Sequence, residues 1–427
     1  MRSRMANVLR FIYSVIFTLL IPVLLVRLFW KSTKVKGYRA RWWQRFGFVP
    51  RIEGRPLWVH AVSVGETMAI APLVERLLQE NPELPIVMTS MTPTGADRVR
   101  ALFGDRVQHL YCPYDLPFVI RLFLARVQPR GCMVVETELW PNMIAGCKHG
   151  GVPLLIANAR LSERSAKGYA RFGRLSQQML NDIALLVAQH PTDAQRFLSL
   201  GMAPSKVIVS GSIKFDIDIT DAQRRVARQL KATLGGRPVV ALLSSHANEE
   251  KQFLEAMKPL WQQHEDAIAM VIPRHPERFV EVTRMAKELG EQPVLRSSGD
   301  EFSRDHRVYI ADTMGEMLTL CGAADVAVMG GSFVPVGGHN PLEPALMRVP
   351  VVIGPHHHNF AAITQGLVDA GGAVCASDMA EAVAQSASWL AQEHVRETAG
   401  DAGCCFAESQ KGALNRLLQA VRARLLA

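Results

Sequence analysis

The sequence predicts an α/β protein built from two doubly wound domains, with a membrane segment at its N-terminus. Three observations point there. Short runs rich in Val, Ile and Leu alternate with helix-length segments, the pattern of parallel sheets covered by helices. The pattern is interrupted by a polar stretch and then restarts, and 427 residues set against ~100–200 per domain leave room for two such units. An uncharged apolar run lies near the N-terminus, beside a basic collar. With 48% hydrophobic and 20% charged residues, a disordered or low-complexity chain is excluded.

The apolar run is Phe11–Val26, 16 residues without a charge. As a helix it covers roughly 24 Å, less than the ~30 Å hydrocarbon core, so it either spans with Arg27 reaching the interface or lies as a shallow anchor. Arg-Leu-Phe-Trp-Lys follows it where a signal-peptide site would need small residues. Residues 1–50 hold ten Lys/Arg and no acid, so the net charge of +9 leaves residues 51–427 at −1. A nucleic-acid binder carries its basic residues on a folded face instead. Seven of the ten follow the apolar run, which by the positive-inside rule keeps the body cytoplasmic. Seven scattered cysteines without a CxxC pair or metal spacing agree, reading as reduced thiols. The stretch from Arg39 to Gly47, with Trp42, Trp43 and Phe46 among its arginines, suits an anionic lipid surface.

In the body, Leu57–Val62 reads as a strand and Glu66–Gln79 as a helix. Pro85–Thr89 is the next strand, followed by Thr92 as N-cap, Pro93 at the first helical position and a helix through Leu102. Gly131–Val135, Pro153–Ala157, Ile183–Ala188 and Val207–Ser210 complete the first set of strands. Asp216–Gly236 reads as a linker. The second set is Arg237–Leu243, Ala267–Ile272, Val308–Ile310, Val326–Met329 and Val351–Ile353. The expected divisions are therefore residues 1–36 (anchor), 37–215 (first domain), 216–236 (linker), 237–405 (second domain) and 406–427 (a last helix that closes the second domain or crosses back to the first). Two doubly wound domains facing a central cleft place ligands at the carboxyl ends of their strands.

Motifs fall at those ends. Ser63-Val-Gly-Glu66 lies where a strand meets a helix, and Glu66 is either an ordinary first-turn acid or a carboxylate aimed at ligand. Glu136-Thr-Glu138 offers two carboxylates that share a face while the chain is extended. They are a solvated turn, a grip on an acceptor sugar or, less well supported, a glycosidase pair. Pro273-Arg274 leaves a strand with a guanidinium suited to phosphate, or forms a surface turn. Asp312-Thr-Met314-Gly315-Glu316 offers backbone N–H groups to an anion at a helix start. Gly330 to Pro344 contains four glycines, then Asn340 as N-cap, Pro341, Leu342 and Glu343 as a capping box; the same geometry could grip phosphate and sugar hydroxyls. His356, His357 and His358 alternate faces and do not converge on one metal ion.

Taken in order, Ser63-Val-Gly-Glu66, Glu136-Thr-Glu-Leu-Trp-Pro141, Ser212-Ile-Lys214-Phe-Asp216, Pro273-Arg-His275, Asp312-Thr-Met-Gly-Glu316, and Gly330-Gly-Ser through Asn340-Pro-Leu-Glu343 span the chain. Together with the N-terminal anchor they resemble the Kdo (3-deoxy-D-manno-octulosonic acid) transferases of lipopolysaccharide assembly. Asn340-Pro-Leu-Glu343 is a local variant of an Asn-x-x-Glu element. The resemblance implies a GT-B glycosyltransferase of two Rossmann-like domains, anchored at the cytoplasmic side of the inner membrane. It implies CMP-Kdo as donor, a lipid A precursor as acceptor, and no metal or other cofactor. Carried residue by residue, it implies Glu66 as general base with Glu136 and Lys214 stabilising the transition state. Pro273, Arg274, Met314, Gly315, Glu316, Asn340, Pro341, Leu342 and Glu343 are then expected to hold CMP. The alternatives are a membrane-associated transferase using a UDP-sugar, and a noncatalytic scaffold that keeps a nucleotide-binding fold.

Overall fold

The computed structural model describes residues 2–426 and divides the chain into two compact units, residues 1–216 with 411–427, and residues 217–410. The first holds a parallel sheet of β1 (Leu57–His60), β2 (Ile86–Ser90), β3 (Gln108–Tyr111), β4 (Gly131–Val135), β5 (Leu154–Ala159), β6 (Leu185–Ala188) and β7 (Val207–Val209), in the order β3-β2-β1-β4-β5-β6-β7. The second holds β8 (Val239–Ser245), β9 (Ile268–Pro273), β10 (Pro293–Leu295), β11 (Val308–Ile310), β12 (Val326–Met329), β13 (Val351–Ile353) and β14 (Ala373–Cys375), in the order β10-β11-β9-β8-β12-β13-β14. Most of these strands are buried on both faces, which is why they read as continuous apolar runs. In each sheet the order reverses beside the first strand, and such switch points are where doubly wound folds bind ligand.

Three strands were not expected from the sequence, β3, β10 and β14, and all lie at sheet edges. Gln108-His-Leu-Tyr is half polar, and Pro293-Val-Leu and Ala373-Val-Cys carry one β-branched residue each, where the equally short β7 and β13 carry three.

The segment 216–236 is not an open linker. Asp221–Thr233 is a helix with a complete Thr220/Gln223 capping box, and it packs on the helix Met317–Ala323 within the second unit. The polar composition reflects a broad solvent face around buried Ala227 and Leu230. The segment 406–427 is likewise two pieces. Glu393–Ser409 ends the second unit; after left-handed Gly412, Ala413–Val421 returns to the first. There Leu417, Leu418, Val421 and Leu425 join the core beneath β1 and β4, and the Asp216 carboxylate accepts the N–H groups of Gly412 and Leu414.

The N-terminal helix is longer than the apolar run, covering Arg2–Lys34. It is long and apolar enough to cross a membrane. It also lies against the first unit along one stripe. Ser14 bonds Asn142 and accepts its amide N–H at 3.0 Å, while Phe17, Ile21 and Leu24 pack on Tyr114, Leu116 and Val119. The opposite stripe, including Phe11, Leu19, Val23 and Val26, is exposed.

Candidate active site

In the first unit the candidate carboxylates sit where the strands end. Glu66 stands in the first turn of the helix Val64–Glu80, following β1. Its Oε2 accepts the Val62 N–H at 2.7 Å and its Oε1 accepts the Ser63 hydroxyl at 2.9 Å, while Ser63 Oγ accepts the Glu66 N–H at 3.3 Å. The ordinary capping reading is thus satisfied, and it fixes the carboxylate at the sheet's carboxyl edge. Burial raises the Glu66 carboxyl above the usual range; Val62, Ser63 and Lys214 oppose that, and the Glu136 charge adds to it.

Glu136 follows β4, its N–H bonded to Ala157 O at 2.8 Å. It has φ +60°, a left-handed conformation uncommon for a residue with a side chain and often found at functional sites. Its Oε1 accepts from Lys214 Nζ at 2.6 Å. Lys214 rides on the short turn Ile213–Phe215, held by Asn158 Oδ1 accepting the Ile213 N–H at 3.2 Å. Glu66, Glu136 and Lys214 therefore come from three separate parts of the sequence into one electrostatic cluster.

Glu138 belongs to it as well. Burial, then repulsion from Glu66 and Glu136, pushes its carboxyl up to about 7, against the pull of the Trp140 indole. Between the ordinary value near ~4.3 and about 7, the folded chain keeps a proton that the unfolded chain has released. Stability from this group is full below the ordinary value and is lost as pH rises through about 7. Glu138→Gln removes the loss, so its melting temperature relative to wild type should improve between about pH 5 and 8. Thermal melts across that range showing a constant offset would contradict this.

The second unit gathers most of the expected donor residues around a cavity of ≈ 340 Å³. Pro273, Arg274, Met314, Gly315, Glu316, Asn340 and Glu343 line it; Pro341 and Leu342 are buried and do not. Arg274 follows β9, exposed, with no ion pair among the described residues. Glu316 is engaged by Arg296, at 3.0 Å, and by the Thr313 hydroxyl. That pairing, led by Arg296, holds its carboxyl below the usual range. Burial raises the Glu343 carboxyl, while Asn340 and Arg274 lower it.

The expected capping box at Asn340 is not formed as such. The helix is Leu342–Leu346, and Asn340 Oδ1 accepts the Leu342 N–H at 3.2 Å, an Asx-type turn one residue ahead of the helix. Glu343 faces the Asn340 side-chain amide, at 3.5 Å, instead of its backbone. Proline at 341 already has helical φ and ψ, so the turn begins before the first helical hydrogen bond.

Sequence reasoning missed the carboxylate that braces this site. Glu249, wholly buried, accepts the N–H groups of His246 (2.8 Å), Gly331 (2.8 Å) and Phe333 (3.0 Å). It shapes the glycine turn after β12, where a Cβ on Gly330 would lie 2.6 Å from Leu243 O. Glu250 pairs with Arg278 at 3.0 Å and accepts the Ser245 hydroxyl. His339, also on the cavity wall, stacks on His246 with their Nε2 atoms 2.8 Å apart. Its ring is lowered to about 4 by burial and by His246. Adjacent glutamates at a helix start beside His246 were the one available signal, and they read equally well as first-turn acids.

Two parallel doubly wound units in one chain form the GT-B architecture of glycosyltransferases, and comparison with known proteins agrees. The UDP-GlcNAc 2-epimerase of Neisseria meningitidis is similar over 86% of this chain and 99% of its own, with a TM-score of 0.58 and 13% identity, a likeness of fold alone. A family model described as 3-deoxy-D-manno-octulosonic-acid transferase (kdotransferase) matches residues 40–217. The 3-deoxy-D-manno-octulosonic acid transferase of Haemophilus influenzae is 37% identical over 97% of this chain and 98% of the relative. The enzyme of that name from Bordetella pertussis is 36% identical over 86% of each. The chain belongs to the Kdo transferases, glycosyltransferases of lipopolysaccharide biosynthesis, as its motifs implied.

Proposed function

We propose that the protein transfers Kdo from CMP-Kdo to a lipid A precursor of the lipid IVA type, inverting the anomeric carbon and releasing CMP. The observation that carries this reading is the Glu66, Glu136 and Lys214 cluster at the strand ends of the first unit. A hydroxyl is a poor nucleophile near neutral pH, and Glu66 takes its proton as the new bond forms. Glu136 and Lys214 balance charge in the transition state. In the second unit, Arg274 offers the CMP phosphate a guanidinium with no ion pair among the described residues, and the turn Met314–Glu316 lines the same cavity. Charge on the departing phosphate is assigned to these residues, and no step to a metal.

Donor choice is tested by calorimetry, with CMP expected to bind at least ~tenfold more tightly than UDP, a difference of about 1.4 kcal/mol. Equal or tighter UDP binding would favour a UDP-sugar transferase instead.

The same reading puts the protein on the anionic cytoplasmic surface of the inner membrane, supported by the exposed apolar stripe and the basic collar. Leu19 and Val23 are 73% and 61% exposed on that stripe. Leu19→Asp with Val23→Asp should release the protein from anionic vesicles while CMP affinity stays unchanged. Continued pelleting with vesicles at high salt would contradict the assignment.

A further inference from the structure

A concavity of ≈ 510 Å³ lies on the first unit between the N-terminal helix and the helices Glu163–Ala170 and Gly173–Asp182. Its size is within the ~300–1,000 Å³ of ligand pockets. Leu9, Ile12 and Ile16 supply one wall, and Trp140, Phe172 and Leu175 another. Thr137 and Glu138, one and two residues beyond Glu136, line it too. The groove thus joins the helix whose outer stripe is apolar and exposed to the carboxylate cluster of the first unit.

The flanking charge is predominantly basic. Arg160, Arg164, Arg171 and Arg174 are all exposed and carry no ion pair among the described residues. The acid in their midst, Glu163, is paired with Lys167 at 2.6 Å. Arg160 is tied to the groove, its carbonyl accepting the Thr137 hydroxyl, and Arg171 and Arg174 flank Phe172 and Leu175 in sequence.

We infer that this groove seats an acyl chain of the phosphorylated lipid acceptor, with the neighbouring arginines meeting its phosphates. The inference rests on the lipid acceptor proposed above. The acceptor's own chain is the occupant because Thr137 and Glu138 form part of the wall, so a chain seated there lies beside the carboxylate cluster where the acceptor's sugar would be presented. The arginines match an anionic headgroup, and the apolar walls match a hydrocarbon tail.

Leu175→Trp fills the groove from a half-buried position outside the carboxylate cluster. It is to be assayed with tetraacylated lipid A precursor and with the same phosphorylated disaccharide after deacylation. The variant should raise KM for the tetraacylated acceptor by about tenfold or more, as expected for a mismatch in a hydrophobic pocket. Its KM for the deacylated acceptor and for CMP-Kdo should match wild type. An unchanged KM for the tetraacylated acceptor would overturn the groove assignment. So would wild-type protein using both acceptors with equal KM, a result that leaves Kdo transfer itself standing. Transfer to neither acceptor by wild type would instead overturn the acceptor reading on which the inference rests. The unmodified protein gives an independent readout, using tetraacylated precursor with a photoreactive acyl terminus. Cross-links within residues 9–16 and 169–179 support the groove, and cross-links confined elsewhere overturn it.

Discussion

Glu66→Gln is expected to slow transfer by roughly 10²–10⁴, the span of a lost general base. The substitution keeps the shape of the side chain. Its amide oxygen can still accept the Val62 N–H, and the Ser63 hydroxyl can rotate to accept from the new amide, so the helix start survives. What disappears is the ability to take a proton from the acceptor hydroxyl. Burial raises this carboxyl, so wild-type transfer should fall on acidification as Glu66 becomes protonated, and that limb should be missing from the residual rate of Glu66→Gln. CMP affinity should not change, because the residues expected to hold CMP belong to the second unit. Single-turnover transfer with both substrates saturating checks this. A near-normal rate in Glu66→Gln would remove Glu66 as the base.

Arg274→Ala should weaken CMP binding by about tenfold or more, since a hydrogen bond to a charged group contributes ~1.5–3 kcal/mol. The position favours a clean reading. Arg274 is exposed, follows β9, and is anchored by its backbone N–H on Ser245 O at 3.0 Å. Its guanidinium carries no ion pair among the described residues, so truncation breaks no internal salt bridge. Nearby Arg278 makes the useful contrast. It is committed to Glu250 at 3.0 Å in a pair with little exposure, and Arg278→Ala would strip a partner from a buried carboxylate and act through folding. Calorimetry on Arg274→Ala with an unchanged melting temperature and unchanged CMP affinity would refute the donor site.

The candidate site was legible in the sequence where chemistry and local structure coincide. Ser63 to Glu66 and Pro273-Arg274 stand at strand ends that apolar runs mark on both sides, so their residues could be placed without knowing the fold. Lys214 was found by resemblance alone. Its link to Glu136 spans 78 residues and depends on Asn158 holding the turn, which no local pattern reports. Glu249 stayed hidden for a related reason, because its three backbone partners include Gly331 and Phe333, more than 80 residues away. The helix Ala413–Val421 has a clear apolar face, yet its crossing to the first unit depends on Asp216, which the sequence placed at the edge of a linker. The N-terminal helix is apolar on both its docked and its exposed stripes, so periodicity could not separate the face that meets protein from the face left open.

The most direct measurement is mass spectrometry of the lipid after purified protein is incubated with CMP-Kdo and tetraacylated lipid A precursor. The expected result is acceptor heavier by whole Kdo residues, with one CMP released for each residue added. Unmodified acceptor with CMP-Kdo, alongside product formed from a UDP-sugar, would contradict it.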